Sequence, residues 1–324
     1  MVEWLIEEGI GEERAIRLND GRIVAARMRW PGRVSSGAVA KATVIKRFPQ
    51  TASAIVRFET GEEAFGRRLP KQDSEGSIVT MEVEREAIAE RGRLKRAQAV
   101  RTDKPLNPHP RMAESLQDEG HQVRLVPRFP IDADWEELFA EAWSGQVDFF
   151  GGSLLFSDTP AMTLVDVDGA PVEAIAFNAV PALATALERF DIGGNIGIDF
   201  PTLTDKGDRR AIDSALEQQL ADWPHERTAM NGFGFVQIVA KLSRTSILRR
   251  ISLDRSGAAA RILLRRGEAV PGPGAILLTC NPVVSAKLKP QWLDELARRT
   301  GREIRIATDP ALALEAGFAQ AVPL

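Results

Sequence analysis

The sequence predicts a multidomain α+β protein that combines a small β-barrel, a mixed α/β domain and a small C-terminal α/β unit. Short alternating strands separated by Gly, Pro and Ser turns fill residues 31–103. Strands and helices interleave over 151–250, and the same alternation recurs on a smaller scale over 251–324. With 44% apolar and 27% charged residues, the 324-residue chain has the composition of a folded globular protein with two or three cores.

Residues 1–30 are predicted to form strands that pack on the α/β core, with a hairpin turn at Asp20-Gly21. The short strands over 31–103 fit a small barrel such as the OB fold. Residues 104–150 are predicted to be a proline-rich connector followed by a helix, which Asp132 or Asp134 can cap.

The α/β domain over 151–250 begins with a hairpin that ends in "AMTLVDVD". A largely helical segment, "VEAIAFNAVPALATALERF", follows, and Pro181 predicts that a helix begins or bends there. The strand "NIGIDF", a second helix and the strand "FGFVQIVA" complete the domain. The remaining residues, 251–324, are predicted to pack against it as a small α/β unit, to which we assign no chemistry.

Acidic residues stand at the ends of two apolar strands of this domain. Asp166 and Asp168 share one face of their strand because side chains two residues apart point the same way, and Asp199 ends the next strand. If the strands are neighbours, Asp166 and Asp199 converge at one edge of the sheet, where carboxylate oxygens suit Mg²⁺. The alternative is that Asp166 and Asp168 only end a strand in an Asx-type turn before Gly169.

Charge and cysteine content narrow the class of protein. The formal net charge is −3, but eight Lys or Arg lie between Arg85 and Arg111 and eight more between Lys241 and Arg266. Such tracts suit either a bound polyanion or a solvated surface. The single cysteine, Cys280, excludes a disulfide framework and a multi-cysteine zinc site. Without a long apolar run or a leader-like N-terminus, a cytoplasmic protein with no membrane contact is expected.

The ordered series of motifs resembles the ribonuclease E/ribonuclease G family of bacterial endoribonucleases. The resemblance rests on "GGSLLFSDTPAMTLVDVDG", "EAIAFNAVPALATALERFDIGGNIGIDF" and "FGFVQIVAKLSRTSIL". It is clearest over about 151–250 and extends more loosely to a barrel of the S1 type over 31–103. It implies a DNase I-like catalytic domain, an RNase H-like remnant within 104–150, and cleavage of single-stranded RNA by a metal-activated water.

The resemblance also implies roles for residues near the acids. Asp166, Asp199 and Asp168 form the catalytic group, and Asp166 and Asp199 hold the metal. Asp168 stands where the family usually has asparagine, and it either orients the attacking water or binds the ion. Asn178 matches the asparagine of an Ala-Phe-Asn motif and is expected to be a structural hydrogen-bonding residue. The expected cofactor is Mg²⁺, with Mn²⁺ possible because oxygen ligands suit both, and no zinc.

Basic and aromatic residues are predicted to contact the RNA strand, the cations through phosphates and the rings through stacking. These residues are Lys241, Arg244, Lys95, Arg96, Phe58 and Phe65. The alternative for each phenylalanine is that it packs in the barrel core and does not stack on a base. Ile55 stands where the family has a further stacking aromatic ring.

Two other functions are compatible with the sequence: an RNA-binding protein that has lost catalysis, and a metal-dependent phosphoesterase acting on small nucleotides. Single-stranded RNA is the expected partner, and a monomer or simple dimer without a zinc link is the expected assembly. The segment between residues 103 and 151 has no room for the family's domain that senses a 5′ monophosphate. A strong preference for 5′-monophosphorylated RNA is therefore not expected.

Overall fold

The chain is described by a computed structural model over residues 3–48, 50–90 and 93–324. An antiparallel N-terminal sheet begins with β1 (Trp4–Gly9), β2 (Glu12–Asn19) and β3 (Arg22–Arg29). The hairpin turn predicted at Asp20-Gly21 is confirmed, since both residues have the positive φ that a tight two-residue turn requires.

The predicted β-barrel is present and closed. Its first four strands are β4 (Val39–Phe48), β5 (Ser53–Phe58), β6 (Glu63–Arg67) and β7 (Ile78–Arg85). A short hairpin follows, formed by β8 (Ile88–Glu90) and β9 (Arg93–Lys95). Strand β10 (Ala97–Arg101) then closes the barrel by pairing with both β6 and β7. Ala and Val side chains fill most of the interior, together with Phe58, Leu69 and Met81, and this core is separate from the others.

The proline-rich connector does more than join two domains. It forms helix α1 (Met112–Asp118) and strand β11 (Val123–Leu125), which pairs parallel with β1 and completes the N-terminal sheet. The barrel is therefore inserted between the third and fourth strands of one sheet. Helix α2 (Trp135–Ser144) follows; of the two predicted caps, Asp134 is used, and its side chain accepts the Glu137 N–H at 2.9 Å.

A six-stranded sheet, here called the central sheet, has the order β12-β13-β14-β15-β17-β16. Its strands are β12 (Gln146–Phe149), β13 (Gly152–Asp158), β14 (Thr163–Gly169), β15 (Gly194–Asp199), β16 (His225–Arg227) and β17 (Phe235–Ala240). Helix α3 (Val172–Arg189) connects β14 to β15, which makes those two strands parallel. Helices α4 (Lys206–Gln219) and α5 (Ile247–Leu253) complete the domain.

Helix α3 lies between two sheets, because it contacts β3 on one side and β13 and β14 on the other. It is buried except along a stripe that includes Phe177, Pro181 and Thr185. No helix begins at Pro181, because α3 runs through it. Pro181 lies on the exposed stripe, where water can satisfy the carbonyl that loses its partner. Neither α3 nor any other helix of the described residues is long and apolar enough to cross a membrane.

The C-terminal residues form a small α/β unit with its own core. Its elements are α6 (Arg255–Glu268), β18 (Ala275–Cys280), α7 (Pro282–Ser285), α8 (Pro290–Thr300), β19 (Ile304–Thr308) and β20 (Phe318–Val322). The Arg261 guanidinium lies 4.0 Å from the ring centre of Trp30 and 4.7 Å from that of Trp292. The contact with Trp30, which follows β3, attaches the unit to the N-terminal sheet, whereas the contact with Trp292 lies within the unit.

Candidate active site

The acids predicted from the two strand ends lie side by side. Strands β14 and β15 are parallel neighbours, and Asp166 is in direct register with Asp199. Because neighbouring strands are about 4.8 Å apart, the two carboxylates extend from adjacent backbone positions on one side of the sheet. The structure therefore brings together the two residues that were predicted to share a metal ion.

The carboxylates lie on the uncovered face of the central sheet. In β14, Val165 and Val167 are buried against α3, whereas Asp166 and Asp168 are exposed on the opposite face. The same alternation in β15 buries Ile198 and exposes Asp199. Because side chains alternate between the two faces of a strand, the valines and isoleucines enter the core while the acids remain exposed to water.

The surroundings of Asp166 raise the pKa of its carboxyl above the ordinary value. Partial burial is the larger cause, and the negative charges of Asp199 and Asp168 add to it. The charged groups that act on Asp166 are therefore all acidic. Three acids crowded on one face repel each other unless a cation neutralises them.

This arrangement fits a hard divalent cation. Across the described ranges of the chain, no three His, Cys, Asp or Glu side chains already surround one metal-sized point. An ion held here would thus take oxygen ligands from Asp166 and Asp199, and water would fill its remaining positions. That is the coordination typical of Mg²⁺, which keeps several waters and binds through one or two carboxylates.

Asp166→Asn is expected to stabilise the metal-free protein at pH 7. A carboxyl whose pKa is raised on folding binds its proton more tightly in the folded state, so its ionisation lowers the free energy of unfolding as pH rises. This decrease in the free energy of unfolding is complete above the folded-state pKa of the carboxyl. It vanishes below the unfolded-state pKa of about 3.9. The melting temperature in EDTA should be higher in the variant than in wild type at pH 7, and this difference should disappear near pH 3.5.

Saturating Mg²⁺ should reverse the order, because a cation that binds only the folded wild-type protein stabilises it. A variant that melts several degrees below wild type at pH 7 in EDTA would contradict the predicted electrostatic cost. Asp294→Asn, an exposed site on α8, serves as the matched control for the chemical change.

A basic cavity lies at the other end of β14 and β15. It has a volume of about 240 Å³ and lies between the barrel and the central sheet. Lys95 from the barrel side and Arg244 from the segment after β17 both line it, so the structure brings together two of the predicted RNA-binding residues. Thr163, at the start of β14, also lines it, three residues or about 10 Å along the strand from Asp166.

The side chains predicted to contact phosphates differ in whether carboxylates of the protein already neutralise their charge. Arg244 donates to Asp191 at 2.6 Å and lies 3.4 Å from Glu119; burial lowers its pKa, but the two carboxylates outweigh it and leave the pKa raised. Arg96 is exposed and 3.2 Å from Glu63. Lys241 is exposed at the end of β17. Arg244 is therefore largely neutralised, and Lys241 is the better placed to meet a phosphate.

Most arginines of the second basic tract form ion pairs within the protein, whereas Lys241 at its start is exposed. Its arginines pair with acids from remote parts of the chain: Arg249 with Asp158, Arg250 with Glu86, Arg265 with Glu7 and Arg266 with Glu136. The partners lie far away in sequence, so the tract alone could not reveal them. Of the first tract, Arg91 lies outside the described residues.

The barrel corrects one aromatic assignment. Phe58 is only 4% exposed and belongs to the barrel core, because it follows Ala54 and Val56 on the inward face of β5. It therefore offers no ring face to a base. Phe65 points outward between Ala64 and Gly66, and its ring lies 6.2 Å from that of Phe48. The alternation of small buried residues in β5 and β6 was the signal that distinguishes the two phenylalanines.

The outward face of the barrel adds two residues that sequence reasoning missed. Phe65 is in register with Ile55, which in turn is in register with Lys46. The Lys46 ammonium lies 5.9 Å from the Phe48 ring centre. Phe48 and Lys46 thus extend the patch around Phe65 into a surface with both an aromatic and a basic component.

Asn178 has a defined structural contact. Its side-chain amide donates to the Phe150 carbonyl at 3.1 Å. The bond ties α3 to the turn between β12 and β13, which borders the end of β14. Asn178 therefore positions the turn between β12 and β13 and does not itself contact the acids.

A closed five-stranded barrel joined to an α/β sheet with an open acidic face is consistent with an S1-type barrel combined with an α/β nuclease domain. No family model matches the chain. The chain is 36% identical over 152 residues to "Ribonuclease G" of Escherichia coli (strain K12), and 33% identical over 153 residues to "Ribonuclease G" of Salmonella typhimurium (strain SL1344). Part of the chain is thus similar in sequence to ribonuclease G. Each match covers 43% of this chain and only 30% of the relative's length.

Proposed function

We propose that this protein is a divalent-metal-dependent endoribonuclease that cleaves single-stranded RNA in RNA processing or decay. The observation that carries the proposal is the direct register of Asp166 and Asp199 on the open face of the central sheet. The name of the relatives, "Ribonuclease G", supports the same class of activity.

In this proposal each acid has a defined task. Asp166 and Asp199 would hold the cation, because their carboxylates extend from positions in direct register on two neighbouring strands. Bound Mg²⁺ supplies a Lewis acid that neutralises charge on a phosphodiester oxygen and lowers the pKa of water. Asp168, one strand step beyond Asp166 on the same face, orients the attacking water. Lys241 and the basic cavity with Lys95 hold the phosphates of the strand.

The test is a cleavage assay with an end-labelled AU-rich oligoribonucleotide. We expect Mg²⁺-dependent internal cleavage, complete inhibition by EDTA and recovery when Mg²⁺ or Mn²⁺ is added back. A hairpin with the same sequence in its paired stem should be resistant, since paired bases resist threading. Binding without EDTA-sensitive cleavage would reject the proposal in favour of an RNA-binding protein that has lost catalysis.

Asp168→Asn should keep most of the activity. The amide oxygen can still accept a hydrogen bond from water, and loss of one negative charge eases the crowding that raises the pKa of Asp166. We expect the cleavage rate to change by less than about tenfold, whereas loss of a general base would cost about 100-fold or more. Single-turnover rates of the variant and of wild type, at pH 6 and pH 8, separate these outcomes.

A further inference from the structure

Two phenylalanine side chains are almost fully exposed. Phe150 is 88% and Phe233 82% exposed, which makes them the most exposed aromatic rings among the described residues. Phenylalanine is usually buried, and leaving its side chain in water forfeits its transfer free energy. Single exposed apolar residues are common, but two almost fully exposed rings near the same ends of neighbouring strands call for a functional explanation.

Phe150 lies beside the end of β14. It is in the turn between β12 and β13, where Gly152 is in register with Gly169, the residue after Asp168. The hydrogen bond from Asn178 to the Phe150 carbonyl fixes the backbone of this turn. The backbone that carries the exposed ring is therefore anchored beside the end of the strand that holds Asp166 and Asp168.

Phe233 lies beside the end of β15, in the loop before β17. The Asn231 side chain accepts the N–H groups of Phe233 at 2.8 Å and Phe235 at 3.1 Å. The next residue, Gly234, has a φ of 91° and accepts the N–H of Phe200, which directly follows Asp199. A Cβ at Gly234 would lie 2.3 Å from the Phe200 carbonyl oxygen, so only glycine allows this close approach.

The two rings therefore border the acids from different sides. The turn with Phe150 leads into β13, and the loop with Phe233 leads into β17, while Asp166 and Asp199 lie on the two strands between them. Three strand spacings separate β13 from β17, or about 14 Å. That width accommodates a short stretch of single-stranded nucleic acid with its bases turned toward the rings.

We infer that Phe150 and Phe233 are base-stacking platforms that hold single-stranded RNA on the two sides of the scissile phosphate. The inference rests on the proposed function and adds a binding site to it. An exposed phenyl ring stacks on any unpaired base, whereas a base pair hides both partners within the helix. The platforms thus select unpaired RNA with little sequence preference.

The experiment measures binding in EDTA, where cleavage cannot contribute. The probe is a single-stranded oligoribonucleotide that carries 2-aminopurine, whose fluorescence falls when it stacks on a ring. Wild type should quench the probe. The Phe150→Leu/Phe233→Leu variant keeps apolar side chains but lacks rings, and it should bind roughly tenfold more weakly without quenching. Phe150→Trp/Phe233→Trp should retain both properties.

Phe318→Leu, at a partly exposed ring on β20, is the matched control and should behave as wild type. Equal melting temperatures show that all variants fold. Binding of the double leucine variant within about twofold of wild type, well below the loss of a stacked base, would overturn the inference. So would a wild-type dimer that becomes a monomer in this variant, because the rings would then form a self-association surface.

The inference and the proposed function fail separately. Wild type that binds and quenches in EDTA but does not cleave with Mg²⁺ would reject the endonuclease and leave the platforms supported. Wild type that cleaves, with a double leucine variant that binds and cleaves equally well, would reject the platforms alone.

Discussion

Asp166→Asn and Asp199→Asn are each expected to abolish RNA cleavage. The substitutions preserve the shape of the side chain but remove one of the two negative charges that are in register across β14 and β15. A single remaining carboxylate holds Mg²⁺ poorly, because the ion binds through few protein ligands and each one counts. We expect single-turnover rates to fall on the order of 1000-fold, the scale of several kcal/mol of transition-state stabilisation.

Binding must survive for this result to identify a catalytic role. Both variants should bind the oligoribonucleotide in EDTA at least as tightly as wild type, since they lose a negative charge next to the phosphates. Asp294→Asn on α8 should cleave normally. Cleavage by either active-site variant at a tenth of the wild-type rate or faster would exclude Asp166 and Asp199 as the required metal ligands.

Arg14→Leu is expected to cause the largest loss of stability. Arg14 is 1% exposed and donates to Glu7 at 2.6 Å and to Glu12 at 2.5 Å. Burial raises the pKa of Glu7, but the charges of Arg14 and Arg265 and the Phe129 N–H outweigh it, so the pKa lies below its ordinary value. Removing Arg14 leaves buried carboxylates short of their partner, and we expect a loss of about 3–5 kcal/mol in the free energy of unfolding.

Urea denaturation provides the measurement, with Arg17→Leu as the control on the same strand. Arg17 pairs with Glu188 at a partly exposed site, so its replacement should cost no more than about 1 kcal/mol. Equal losses for the two variants would show that the buried network around Glu7 does not hold the N-terminal sheet, the connector and helix α6 together.

Local patterns predicted much of the fold. Alternating apolar residues and turn signals located the barrel strands, and Asp20-Gly21 located a hairpin that the structure confirms. The alternation of side chains along a strand predicted that Asp166 and Asp168 lie on the same face, and in β14 both are exposed while Val165 and Val167 are buried. The same alternation places Phe58 inside the barrel and Phe65 outside it, so the sequence alone could have excluded Phe58 as a stacking residue.

Other features depend on partners that no local pattern names. The pairing of β11 with β1 turns a proline-rich connector into the fourth strand of a sheet that the barrel interrupts. The continuity of α3 through Pro181 depends on two sheets that pack around the helix. Likewise, the sequence shows the arginines that follow β17 as free cations, whereas the structure pairs them with carboxylates from distant segments.

The sequence by itself determined the strands, the turns and the face on which each acid lies, because these follow from backbone periods of a few residues. Only the tertiary structure decided that Asp166 and Asp199 are neighbours, that Arg244 is already paired, and that Phe150 and Phe233 remain exposed. The physical reason is that sheet order, ion pairing and burial arise from contacts between segments far apart in the chain, and these contacts form only when the segments pack.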